Sequence, residues 1–265
     1  MMKLFLALLL VASNSWAWTQ TDPLNPEVCR ATIAQPSGNK ADTTLICRRG
    51  YFTLHDNQAK IPVWTAWTVT PKTVNGCVVR SNAFAADKSL PADKRSDPKD
   101  YAGTGYDQGH LANDAHQSWD QQVEYESFLM TNMAPQLPGL NRGIWKLLES
   151  ATGAWTFNRG HTIVVYAGPI YNIAKDKKIG AGKVDVPSAF WKIVVDQNTN
   201  ETLAFIFPHN ENLGSDLTKV QVSVTDVERA TNIIFQVPGN KNARPKLWDI
   251  DYKAGAADKK AVCKR

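Results

Sequence analysis

The chain has 265 residues, 43% of them hydrophobic, with 30 basic against 25 acidic side chains and a net charge of +5. It carries no low-complexity tract, internal repeat or linker-like run, which excludes a disordered or repeat protein and leaves room for one large domain with a real core. The mildly basic balance is compatible with a polyanionic partner and too small to demonstrate one.

The N-terminus reads as a secretory signal peptide. Lys3 precedes an apolar run from Leu4 to Ala12, and Ser15-Trp16-Ala17 places small residues where a signal peptidase reads them. The run is far shorter than the ~20 residues of a membrane span. Cleavage after Ala17 predicts a secreted or periplasmic protein, +4 without Lys3, with residues 18–265 forming a single domain. Four cysteines follow, at 29, 47, 77 and 263. An even count in an exported chain predicts two disulfides in one of three connectivities. Pairing Cys29 with Cys47 would close a local loop and leave Cys77 and Cys263 to tie the tail to the body. No Cys-x-x-Cys spacing supports zinc.

Two β-rich blocks flank the middle of the chain. Tyr51–Leu54 and Val63–Val69 come first, joined by the turn residues His55-Asp56-Asn57-Gln58, and the second run is apolar on both faces. Asp87–Asp100, polar and with two prolines, predicts a surface loop. Later come His161–Tyr166, Ala189–Val195 and Thr202–Phe207, the last two joined by a hairpin turn at Asn198–Glu201. Helices are predicted over Ser118–Met130 with Ser118 as N-cap and from Asn141 to about Trp155. A third is predicted over Val224–Ala230, with Thr225 as cap and Glu228 at the capping-box position. Strand blocks with interspersed helices indicate an α+β fold. The tryptophans at 64, 67, 145 and 191 sit in periodic segments and are assigned to the core. His116, His161 and His209 are assigned structural roles.

The chemistry concentrates between Tyr106 and Glu149. Asp107-Gln108-Gly109-His110 is followed by Asn132-x-x-Pro135-Gln136, then by Leu140-Asn141-x-Gly143-x-Trp145-x-x-Leu148-Glu149. A histidine that is neutral at neutral pH can take a proton from water. A neutral amide oxygen suits a hard cation that keeps most of its water. Phosphodiester hydrolysis needs both.

This ordered set resembles the DNA/RNA non-specific endonucleases, the ββα-metal nucleases. Fainter similarity runs from about Cys47 to Arg229, including Ala167–Tyr171 and Val186–Lys192. The resemblance implies a central antiparallel sheet flanked by helices and hydrolysis of DNA and RNA with little sequence preference, leaving 5′-phosphate ends. It implies Mg²⁺ as the cofactor, with Mn²⁺ as a substitute, His110 as general base and Asn141 as metal ligand. Asn141 is also a candidate cap for the helix starting there. Glu149, eight residues on and about 12 Å along a helix axis, would reach water around the ion without touching it. Asn132 would orient phosphate or water, and Arg80 would bind phosphate, with Arg48, Arg49 and Arg95 as rivals.

Gln108 departs from the family, which carries arginine there. Arg142 is the nearby cation that compensates, so Gln108, Arg142 and Arg80 form the expected substrate contacts. No arginine follows Glu149 in the next turn, where some secreted members carry one. A catalytically weakened nucleic-acid-binding protein is the rival reading. No His-Glu-x-x-His or Gly-x-Ser-x-Gly supports another hydrolase class. The oligomeric state, a homodimer included, is left open.

Overall fold

The computed structural model describes residues 20–31, 33–38, 42–171, 177–251, 253, 259, 260 and 263. The signal peptide expected over residues 1–17 lies outside the described residues. Among them, no helix is long and apolar enough to cross a membrane.

The strands, in chain order, are β1 (Thr43–Cys47), β2 (Phe52–Asp56), β3 (Ile61–Val69), β4 (Asp107–His110), β5 (Met133–Gln136) and β6 (Ile163–Ile170). They continue with β7 (Lys177–Ile179), β8 (Val184–Val186), β9 (Ala189–Asp196), β10 (Glu201–Pro208) and β11 (Gln221–Val222). Seven of them form one antiparallel sheet in the order β1-β2-β3-β6-β9-β10-β11. The β4–β5 ribbon stands apart and pairs Gly109 with Ala134 and His110 with Met133. Helices are α1 (Pro26–Arg30), α2 (Asp114–Gln117), α3 (Gln121–Ser127), α4 (Pro138–Leu140), α5 (Lys146–Arg159) and α6 (Val224–Thr231). This is the α+β architecture the strand and helix pattern predicts.

Both faces of the sheet are covered, which explains strands that are apolar on both sides. On β6, Ile163, Val165 and Ala167 face one core, and Val164 and Tyr166 face the other. The first core holds α5 through Leu148, Ala151 and Trp155. The second holds α6 through Val224 and Val227 and includes Cys29 of α1. Fully burying side chains of this size stabilises by roughly 1.5–3 kcal/mol each. Trp64, Trp67, Trp145 and Trp191 are all buried, as their periodic placement predicts. Disulfides join Cys29 to Cys47 and Cys77 to Cys263, with Cα separations of 5.9 and 5.3 Å.

Four local expectations are corrected. The helix predicted over Ser118–Met130 shortens to α3, and Ser118 follows the end of α2 instead of starting a helix. The Ser118 hydroxyl donates to the Ala115 and Gly76 carbonyls and so closes α2, while Asp120 caps α3 by accepting from Gln122 and Val123. In α6 the cap is Ser223 with Asp226 as its box partner, two residues before Thr225, and Glu228 instead accepts from Lys241 and the Phe235 amide. Asn141 has helical backbone and caps nothing; it opens a π-turn (Asn141–Trp145), and the helical path breaks at Gly143 (φ −97°, ψ −117°) before α5 begins. The Asp87–Asp100 segment is only partly surface. Asp87 is buried against the Arg48 guanidinium at 2.7 Å, with Thr131 donating to its other oxygen at 2.6 Å.

Candidate active site

The ribbon, the π-turn and α5 meet at a cavity of about 730 Å³ on the edge of the first core. Trp145 ties these parts together: its indole Nε1 donates to the His110 carbonyl at 3.1 Å, so the turn bearing Asn141 is hinged to the strand bearing His110. Gly109 makes the junction possible by its size. A β-carbon there would stand 2.1 Å from the Gln136 amide oxygen on the facing strand. Room, and not a special backbone path, is the reason for glycine.

His110 ends β4 and lines the cavity. Its ring is held edge-on by Phe128 (4.8 Å between centroids) and Phe84 (5.6 Å). Nε2 is sealed from solvent without a hydrogen-bond partner. Burial pulls the imidazole down to about 4, with Asp114 opposing and Arg80 reinforcing that shift, so the ring is neutral at neutral pH.

Asn141 also lines the cavity, with its amide fixed. Nδ2 donates to Asp107 Oδ2 at 2.9 Å, which leaves Oδ1 as the spare atom. Arg142 grips the same carboxylate with both prongs, Nε to Oδ2 at 2.8 Å and a terminal nitrogen to Oδ1 at 2.6 Å. Burial alone would push the Asp107 carboxyl up; the hydrogen bonds from Arg142 and Asn141 outweigh it and hold the group ionised. Arg142 is therefore an Asp107 partner on the cavity wall, still largely exposed.

Glu149 lines the cavity from α5, beyond the break at Gly143, so it and Asn141 do not share one continuous helix. Burial raises its carboxyl to about 7 against the pull of Lys192. Lys192 Nζ lies 3.6 Å away and 3.8 Å above the Trp145 ring. Burial lowers this ammonium to about 8, with Glu149 opposing.

Arg80 reaches the cavity over the Phe128 ring at 4.8 Å and is ion-paired with Asp114. Its rivals do not reach it. Arg48 is spent on Asp87, and Arg95 donates to the Leu90 carbonyl. Arg49 lines a separate groove. Gln108 lies on the wall in loose contact with the Pro98 carbonyl, 3.5 Å from Nε2.

Asn132 stands corrected. It is fully buried, with its side chain bonded to the Ala112 amide (2.9 Å), the Ala112 carbonyl (2.7 Å) and the Ser127 carbonyl (2.8 Å). Every polar atom is committed, so it braces the chain leaving His110 and does not face the cavity. His161 pairs with Asp196 and His209 accepts from the Leu137 amide, both away from the cavity as their structural assignment predicts, whereas His116 accepts from Trp67 Nε1 at 3.2 Å and also lines the cavity.

Sequence reasoning missed Phe84, Phe128, Asp114 and the pairing of Lys192 with Glu149. No motif spacing announces them, although Lys192 closes a segment already noted for its similarity. A lysine between Phe190 and Val194, on the strand face that enters the first core, was the available signal.

The donors at hand are a free amide oxygen, a carboxylate and a neutral imidazole. Among the described residues no group of three or more His, Cys, Asp or Glu converges. That set fits a hard cation retaining its water shell better than a protein-caged metal.

The chain resembles known nucleases in sequence and in fold. The sequence profile of the DNA/RNA non-specific endonucleases matches residues 30–242. A nuclease of Nostoc sp. is 32% identical over 214 residues, 76% of each chain. A nuclease of Serratia marcescens is 30% identical over 244 residues, 88% of this chain and 87% of that one. Bovine mitochondrial endonuclease G is 28% identical over 71% of this chain and 67% of its own. The crystal structure of an EndoG/EndoGI complex, concerned with EndoG inhibition, superposes with a TM-score of 0.68 at 28% identity. It covers 75% of this chain and 92% of that one.

Proposed function

The chain belongs to the DNA/RNA non-specific endonuclease family, and from that premise we propose that it is an exported, Mg²⁺-dependent nuclease in which His110 is the general base. The observation that carries this reading is the convergence of His110, the spare Asn141 Oδ1 and Glu149 on one cavity.

With Nε2 sealed, Nδ1 is the nitrogen left to receive a proton from a water in the cavity. The two phenylalanine edges hold the imidazole at one angle, and its low proton affinity keeps it free to act at neutral pH. Asn141 would hold the ion through Oδ1, with Asp107 and Arg142 fixing the amide. The ion, Mg²⁺ or Mn²⁺ in its place, would neutralise charge on the phosphate and on the departing 3′ oxygen. Oε1 of Glu149 turns inward to Lys192, which leaves Oε2 to orient water at the cavity wall. Arg80 grips a phosphate oxygen, and in-line attack leaves a 5′-phosphate and a 3′-hydroxyl. The named groups meet phosphate and water, so selection among base sequences is weak.

The test is nicking of supercoiled plasmid and cleavage of structured RNA, with Mg²⁺, with EDTA, and with His110→Ala. Metal-dependent cleavage that falls by at least ~10²-fold in the variant supports the reading. Plasmid that is shifted on a gel but left intact would favour the binding-protein alternative raised by Gln108.

A further inference from the structure

The C-terminal segment lies beyond the residues matched by the family profile, which end at 242, yet it returns to the cavity. Along the way it is anchored to α5. Trp155 Nε1 donates to the Trp248 carbonyl at 3.0 Å, the two indoles meet edge to face at 5.1 Å, and Asn158 donates to the Asp251 carbonyl at 3.1 Å. Past this anchor, Lys259 lines the same cavity as His110 and Glu149. The Cys263 amide donates to the Lys259 carbonyl at 2.9 Å, which holds the lysine next to the disulfide to Cys77.

The other end of that disulfide is equally fixed. Val78 N donates to the Ser118 carbonyl at 2.9 Å, and the Ser118 hydroxyl donates to the Gly76 carbonyl at 3.1 Å. Asn75, two residues before Cys77, is itself part of the cavity wall. Lys259 is thus tethered on both sides. It carries no ion pair among the described residues, whereas Arg80 and Arg142 on the same wall are each occupied by an aspartate.

We propose that Lys259, held at the cavity by the Cys77–Cys263 disulfide, binds a backbone phosphate of the nucleic-acid substrate away from the scissile bond. The inference rests on the nuclease reading above. A flexible ammonium serves as a point charge for phosphate, and the tether removes part of the entropy otherwise lost on ordering a tail.

The test measures binding of a short fluorescein-labelled DNA duplex in EDTA over a salt series. It uses the full protein and its Lys259→Gln, Lys259→Arg, Cys77→Ser/Cys263→Ser and Lys219→Gln variants. Lys259→Gln is expected to lose about threefold to tenfold in affinity at low salt, and its log–log salt slope to fall by about 0.9, one phosphate contact. Lys259→Arg should restore both, and the exposed-site control Lys219→Gln should match the parent. The double cysteine variant should bind like Lys259→Gln. In plasmid nicking, Lys259→Gln should raise KM with little change in kcat. If the parent binds and nicks while Lys259→Gln has the same affinity and slope, the proposal is overturned and the nuclease reading stands. If the parent neither binds nor nicks, both fall.

Discussion

Lys192 Nζ lies 3.6 Å from Glu149 Oε1, beneath the cavity and against the ring of Trp145. A lysine takes a position on β9 between Phe190 and Val194, where the strand otherwise points apolar side chains into the first core. Burying both charges costs each of them. The lowered ammonium and the raised carboxyl record that cost, and the pair holds a carboxylate at the cavity.

Removing the cation should therefore act through Glu149. Lys192→Met deletes the group that opposes burial, so the Glu149 carboxyl rises further above 7 and is protonated at neutral pH. About half of the parent's carboxyl is already protonated at pH 7, so nicking is expected to fall about fivefold there for a one-unit rise, and to recover partly towards pH 9. Profiles of kcat/KM that run parallel for variant and parent would refute this link.

Asp107→Ala frees the Asn141 amide and Arg142 together. Outer-shell partners of metal ligands typically change metal affinity by ~10–100-fold. The Mg²⁺ concentration for half-maximal nicking is expected to rise by that factor. An unchanged Mg²⁺ requirement would show that Asn141 needs no such fixing.

Gln108→Arg should strengthen the grip on phosphate. Gln108 gives up only a loose 3.5 Å contact, and the new guanidinium would face the cavity. Affinity for duplex DNA is expected to rise, with a salt slope steeper by about one contact. A slope equal to the parent's would place residue 108 away from the substrate path.

Acid should destabilise the fold, and the sign follows from proton binding. Burial holds His110 at about 4 and His116 at about 3, both below their ordinary 6.5. The unfolded chain binds those protons first, so this stability is intact above pH 6.5 and drains as pH falls toward the folded values. Burial also lowers His55 and His209, with the same sign. Glu149, raised to about 7, opposes by taking a proton in the folded state between about 7 and 4.5. His110 and His116 against Glu149 leave about one proton, to which His55 and His209 add, so the slope is at least ~1.4 kcal/mol per pH unit between 6.5 and 4.5. Urea midpoints at pH 7 and pH 5 check it; a midpoint that holds or rises at pH 5 would reverse the sign.

By itself the sequence determined the strand-rich α+β architecture, the burial of the tryptophans and the cluster of Asp107, His110, Asn141 and Glu149. Each rests on short-range regularities: β-branched runs, aromatic periodicity and ordered motifs. Even locally, competition between neighbouring hydroxyls and carboxylates was not legible, so the caps fell to Asp120 and Ser223. Only the tertiary structure decided which polar atoms remain free. Asn132 and Asn141 are alike as sequence, yet one is spent on the backbone of Ala112 and Ser127 and the other keeps an oxygen for the cavity. The same holds for Arg48 and Arg80, one closed on Asp87 in the interior and one on the cavity wall. The partners in these pairs lie from 5 to 39 residues away, and the pairing of Lys192 with Glu149 joins a helix to a strand 43 residues on. Contacts at such separations are set by how sheet, ribbon and helix pack, which no local pattern encodes.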